Sequence, residues 1–247
     1  MERKLNANHL KIIAILAMTI DHAADLLYPS FPAQLIPVAL HIIGRLTAPI
    51  MWFFIAEGYY YTRSVKKYLL RLGLFAVISH FAYCFAFGLD FIPFKTGVFN
   101  QTSVMYPLFV SVLVLWLQDT EFKKLRKGVK ELLIFALVWS AFPGDWSCIA
   151  VLAVMGIHRN RGNLKKQTFV MMIWVLLYAV VSFFFVSKIY GIIEVFVILA
   201  YPLMKQYNGQ KGKAAWLKWF FYLYYPAHLV LVGIIRILMY GNAGILY

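Results

Sequence analysis

The chain has 247 residues, of which 62% are hydrophobic and only 14% charged, a balance that excludes an ordinary soluble domain. Its 24 basic residues outweigh 10 acidic ones for a formal net charge of +14, yet they bunch between apolar stretches, which points to membrane topology and anionic lipid rather than nucleic acid. Cys84 and Cys148 both lie in or beside apolar runs and read as packed thiols, with no metal-ligand spacing nearby.

Apolar runs of roughly 15 to 25 residues predict spanning helices rather than the short alternating strands of an outer-membrane barrel. Nine candidates fall at about residues 10–28, 44–62, 68–88, 103–118, 131–143, 146–158, 168–187, 190–204 and 217–239. The predicted fold is therefore all-α, a polytopic helical bundle with residues 1–247 as a single transmembrane domain. In that arrangement the basic clumps Arg3–Lys4, Arg63–Arg71, Lys123–Lys130, Arg159–Lys166 and Lys205–Lys218 all share one side, with Lys95, Lys188 and Arg236 opposite. The positive-inside rule makes the clumped side cytoplasmic, with the N-terminus in and the C-terminus out.

The first candidate, LKIIAILAMTIDHAADLLY at residues 10–28, starts like a signal peptide, but its acidic residues and His22 interrupt the apolar core, so it is expected to be a retained helix. An ionisable group inside a bilayer costs at least about 2.5 to 3.5 kcal/mol, so Asp21, His22 and Asp25 should face protein or a water-filled cavity. The eleven-residue step from Lys11 to His22 is close to three helical turns, placing both on one face roughly 16 Å apart. His22 can act as general base or nucleophile, with Asp25 at i+3 or Asp21 as its carboxylate partner; the plainer role is a packing hydrogen bond between helices.

Residues 31–46 are apolar but too short to cross, and Pro32 and Pro37 suggest an interfacial or re-entrant piece. The next helix, GRLTAPIMWFFIAEGYYYTR at residues 44–63, buries Arg45 near one end and Glu57 towards the other. Arg45 would pair with Asp21 or Asp25, and Glu57 with Arg71 or another cytoplasmic-side base, in either a structural or a catalytic role. His41 reads as a solvated interfacial histidine, whereas His80 lies mid-span in the third helix and could face a cavity. Residues 89–103 form the longest outer loop. FPGDWS at residues 142–147 sets Asp145 in an outer turn, where it needs no function beyond the turn itself. Glu194 falls inside the eighth candidate, and the last span, WLKWFFYLYYPAHLVLVGIIRILM, carries Pro226 and His228 at mid-membrane.

The runs LKIIAILAMTIDHAADLL and IGRLTAPIMWFFIAEGYYYTRSVKKYLLRL, then GDW and FFYLYYPAHL, occur in an order that resembles the TraX family, the pilin-acetylating proteins of conjugation systems. More distantly, the chain is similar to the acyltransferase family 3 membrane enzymes, whose first helix bears a basic residue, ten others and then a histidine; Lys11 and His22 meet that spacing, with Lys where Arg is usual. The resemblance implies a membrane-bound O- or N-acetyltransferase of the bacterial inner membrane that uses acetyl-CoA and no metal. It makes His22 the central base or acyl-handling residue; with the buried charges read above, the candidate catalytic set is His22, Asp21, Asp25, Arg45 and Glu57. Lys11, Arg63, Lys66, Lys67 and Arg71 would then bind CoA phosphates, and His80, Asp145 and His228 the acceptor. Expected partners are membrane lipid, acyl-CoA and an acceptor that is a pilin N-terminus, a glycan or a lipid headgroup. The rival from another class is a proton-coupled transporter of small solutes, because a buried Asp-His-Asp cluster also suits a proton relay; no internal repeat of the kind that transporters carry is visible.

Overall fold

A computed structural model describes residues 4–95, 97–121, 126–214 and 216–245. Among these the regular structure is helical, with two isolated bridges pairing Leu5 with Tyr207 and Thr102 with Gly144. In chain order the helices are α1 (Ala7–Leu27), α2 (Leu35–Gly44), α3 (Thr47–Tyr61), α4 (Val65–Phe87), α5 (Met105–Asp119), α6 (Lys127–Ser140), α7 (Ser147–Arg159), α8 (Leu164–Phe185), α9 (Lys188–Glu194), α10 (Ala200–Lys205) and α11 (Leu217–Tyr240). A 3-10 turn, Val195–Leu199, joins α9 to α10. Arg3, Lys123 and Lys124 of the basic clumps lie outside the described residues.

Side-chain caps start three of the long helices: Asn6 accepts from His9 N, Ser64 from Lys67 N and Asn163 from Lys166 N. At the end of α5, Lys130 Nζ donates to the carbonyls of Gln118 (2.8 Å) and Thr120 (3.2 Å), a cation set against the negative end of a helix.

Among the described residues four stretches are long and apolar enough to cross a bilayer, Leu35–Tyr61, Val65–Phe87, Leu164–Phe185 and Leu217–Tyr240, with shorter apolar helices at Met105–Asp119 and Ser147–Arg159. Much of this apolar surface points outward: Leu238 is 80% exposed, Phe184 73% and Phe169 68%. Helix α6 buries none of its residues. At about 25 cal/mol per Å² of apolar area, such a surface is stable only where hydrocarbon replaces water, so this is a membrane protein.

Helix α1 packs against α2, α3 and α11, while α3 leans on α5 and α7 and α4 on α5 and α11. The charged helix α1 is thus enclosed by apolar ones, which is what its buried ionisable residues require.

Two regions differ from the sequence expectation. Residues 31–46 are not a separate interfacial piece: α2 and α3 run almost end to end, interrupted only at Arg45 and Leu46. Pro37 falls in the first turn of α2, where a missing N–H costs nothing. Residues 190–204 are not one helix but α9, the 3-10 turn and α10. Pro202 has no N–H to offer the Ile198 carbonyl, and the turn before it tightens. That break leaves Glu194 at the last position of α9.

Candidate functional site

The interruption between α2 and α3 sets Arg45 at the centre of a buried charge cluster. Its Nη2 donates to Asp21 Oδ2 on α1 (2.5 Å), its Nη1 to Glu194 Oε1 at the end of α9 (2.7 Å) and its Nε to the His41 carbonyl (3.3 Å). Asp21 Oδ1 takes a second bond, 2.8 Å from His41 Nδ1. Arg45, His41 and Glu194 are 6%, 1% and 0% exposed, so these three are held by their partners rather than by water, while Asp21 is partly open to the space beside it. Gly44 is needed at the approach of α2 to α1, because any Cβ there would occupy the position of the Asp21 carboxyl group.

His22, on the next position of α1, turns away from this cluster towards α11. Its Nδ1 lies 2.8 Å from His228 Nε2, and its ring meets the edge of Phe87 at 5.6 Å between centroids. Asp25 is not its partner. That carboxylate is 9% exposed and has no hydrogen bond among the described residues.

Two cavities meet at this point. The first, about 780 Å³ of empty space, runs along α1 from Ala14, Ile15 and Met18 between Met51, Trp52, Leu108 and Phe221, and ends at Asp21, His22, Arg45 and Asp145. The second, about 390 Å³, continues towards the C-terminal end of α1 and is lined by Asp25, Asn100 and the rings of Phe31, Tyr83, Phe87 and Tyr190. Asp21, His22, Arg45, Asp145 and Trp146 border both. The first is walled mainly by apolar side chains up to its charged end; the second joins carboxylates to aromatic faces.

The GDW turn builds the floor between them. Gly144 sits so close to Pro107 that no side chain would fit, and Asp145 N donates to the Thr102 carbonyl at 2.8 Å. Trp146 takes a left-handed backbone (φ 62°), which throws its ring under Arg45 at 5.6 Å, edge-on to Trp52 (5.0 Å) and stacked on Tyr178 (5.4 Å). Asp145 is therefore more than a turn residue: it is a wall of both cavities.

The other expected site residues divide. Lys11 Nζ lies over the rings of Phe54 (5.0 Å) and Phe221 (5.6 Å), and Phe221 is itself a wall of the first cavity, so Lys11 stands next to its far end. Arg63, Lys66 and Lys67 are exposed at the α3–α4 turn and line neither cavity; Arg71 is half-buried over Tyr68 at 5.7 Å. Glu57 does not join the cluster or pair with Arg71: five residues beyond Trp52 on α3, it takes the guanidinium of Arg161 (2.9 Å), which also donates to Tyr61 Oη. His80 does not face a cavity either. Its Nε2 donates to the Phe91 carbonyl (2.8 Å) and its Nδ1 contacts Thr102 Oγ1 (2.9 Å), so it ties α4 to the following loop. His228 touches His22 and lines neither cavity.

Sequence reasoning undervalued His41, Glu194 and Trp146. The signal for Glu194 was present, since a lone acid in an apolar stretch needs a buried cation. Among the described residues no group of three or more His, Cys, Asp or Glu is arranged to hold a metal ion.

The profile of the TraX family, described as TraX protein, matches residues 6–236. A probable fimbrial assembly protein FimC, serogroup H1, from Dichelobacter nodosus is 33% identical over 234 residues, covering 92% of this chain and 94% of the relative. No solved structure matches. The buried cluster on α1, the GDW floor and the α11 histidine all fall within the matched range, and the chain belongs to the TraX family.

Proposed function

We propose that the chain is a membrane acyltransferase that moves an acetyl group from acetyl-CoA to an amine, with His22 as the central base. The observation that carries this reading is the shared wall: ligands entering the two cavities would meet at one imidazole. The apolar first cavity suits an extended thioester arm, and Lys11 beyond it suits a phosphate. Asp25 and Asp145 among aromatic rings suit an ammonium group in the second. In the reaction the ammonium first gives one proton to a facing carboxylate or to solvent, leaving a free amine; His22 then removes a second proton as the nitrogen–carbon bond forms at the acyl carbon and the carbon–sulfur bond breaks. The proton then returns from the imidazolium to the departing thiolate.

Family membership and the fimbrial relative support a pilin-type peptide N-terminus as the acceptor. The test is transfer of radiolabelled acetyl from acetyl-CoA by the detergent-purified chain to a peptide with a free N-terminus, beside a glycan and a lipid headgroup. Labelling of the peptide is expected. Transfer only to a hydroxyl would overturn the amine assignment, and neither transfer nor acetyl-CoA hydrolysis would overturn the acyltransferase.

If Lys11 holds a donor phosphate, Lys11→Ala should weaken acetyl-CoA binding about tenfold or more, the worth of one charge-assisted contact. Joint replacement of Arg63, Lys66 and Lys67 should matter less, because they are exposed and border no cavity. Calorimetry on both variants decides it, and unchanged binding in Lys11→Ala would place the donor elsewhere.

We further infer nine crossings in the inner membrane, with the N-terminus cytoplasmic, from the distribution of basic residues. Single cysteines at residues 159–166 should resist an impermeant thiol reagent in intact spheroplasts, and those at residues 89–95 should react. The reverse pattern would invert the topology.

A further inference from the structure

His228 borders neither cavity, yet it bonds to the one imidazole that borders both. Its Nδ1 lies 3.0 Å from the Tyr224 carbonyl oxygen, which can only accept, so Nδ1 carries a hydrogen. In the neutral ring Nε2 is then a bare acceptor, and it faces His22 Nδ1 at 2.8 Å. His22 must donate along that contact. The two rings are parallel to within 4° with centroids 5.0 Å apart; together with the short nitrogen–nitrogen contact, this is two imidazoles edge to edge in one plane, the geometry of a good N–H···N bond. With the hydrogen on Nδ1, neutral His22 has its lone pair on Nε2, and no group among the described residues bonds to that atom.

The surroundings hold His228 in place for this. The Tyr224 ring lies nearly parallel to His228, at 13° and 5.2 Å. Thr19 Oγ1 donates to the Ile15 carbonyl (2.8 Å), so the 2.7 Å contact between Thr19 Oγ1 and Tyr224 Oη takes its hydrogen from the tyrosine. Thr19 stands one turn before His22 on α1. The bond thus ties α11 to α1 beside the histidine pair, on the stretch of α11 that Pro226 deprives of a backbone hydrogen bond.

We propose that His228 is a positioning residue that locks His22 in the Nδ1–H tautomer, so that Nε2 presents the basic lone pair where the cavities meet. The role rests on the acyl-transfer reading; the tautomer does not. A histidine thus fills the orienting position that sequence reasoning gave to Asp25.

Histidine-selective ¹⁵N NMR of the full chain in detergent reads which ring nitrogen carries the proton, and the signals lost in His22→Gln are those of His22. The expected spectrum has Nδ1 protonated and Nε2 bare. His228→Phe keeps a ring against Tyr224 but removes the acceptor: His22 should move to the Nε2–H form, and kcat for acetyl transfer should fall about a hundredfold with KM little changed. His228→Gln supplies an amide oxygen as acceptor and should restore both the tautomer and most of kcat. An Nε2–H spectrum in the unaltered chain, or an unchanged His22 signal in His228→Phe, would overturn the proposal. Should His228→Phe fail to fold, the spectrum of the unaltered chain still decides. A chain with the expected spectrum but no acyl transfer would defeat the functional reading and leave the tautomer standing.

Discussion

Replacing Arg45 by leucine is expected to cost about 3 to 5 kcal/mol of stability, the usual penalty for removing one partner from a buried ion pair. The guanidinium has three acceptors on three different elements, Asp21 on α1, the His41 carbonyl on α2 and Glu194 on α9, so no single neighbour can replace it. Glu194 is fully buried, and without Arg45 it would have to remain charged in an apolar surround or take up a proton. Trp146 and Tyr190 would also lose the cation held 5.6 and 5.7 Å from their rings, a smaller term of roughly 0.5 to 2 kcal/mol. Folded domains hold only about 5 to 15 kcal/mol in all, so the variant should purify in low yield with a clearly lowered Tm. Arg45→Lys should fall in between, because an ammonium keeps the charge but not the fork that reaches both carboxylates. Adding Asp21→Asn and Glu194→Gln to Arg45→Leu should recover much of the loss, since the damage lies in the unpaired carboxylates. Thermal unfolding of these variants in one detergent checks the series. A parental Tm in Arg45→Leu would mean that water already solvates the cluster.

The same cluster marks how far the sequence could be read. That the ionisable residues of α1 must face protein or a cavity was legible, because Asp21, His22 and Asp25 are too costly to leave against lipid. The direction each side chain takes was not. Sequence gives a residue its depth along a spanning helix, while its facing depends on which helices pack around it. Glu57 and Glu194 look alike in the sequence, each a lone acid among apolar residues. The fold sends one to Arg161 at a loop and the other to Arg45 in the centre. The His22–His228 bond joins residues 206 apart in the chain, and no local pattern announces it. His41 read as interfacial because residues 31–46 seemed separated from the helix that follows. Once α2 and α3 run almost end to end, His41 lies one turn before Arg45 and falls naturally onto Asp21. The GDW turn was legible as a turn, but the inward throw of Trp146 depends on its left-handed backbone, which few non-glycine residues adopt and no composition rule predicts.

His22→Ala should lower acetyl transfer about 10²- to 10⁴-fold, the contribution typical of a positioned acid–base group, while leaving a protein that inserts and purifies. The fold should survive because His22 is not part of the charged clamp. Among the described residues its side chain bonds only to His228, and removing one such hydrogen bond costs about 1 to 3 kcal/mol at most, against the larger penalty expected for Arg45. The loss should appear in kcat, with acetyl-CoA binding nearly intact, because the apolar walls and Lys11 that would hold the donor are untouched. Asp25→Asn makes the contrasting case. Its carboxyl group borders only the second cavity, so it should raise KM for a peptide amine more than it lowers kcat. A histidine that merely joins α1 to α11 would reverse the first result, with a lowered melting temperature and normal turnover per folded molecule. Measuring turnover and unfolding on one His22→Ala preparation separates the two, and near-normal specific activity would remove His22 from the chemistry.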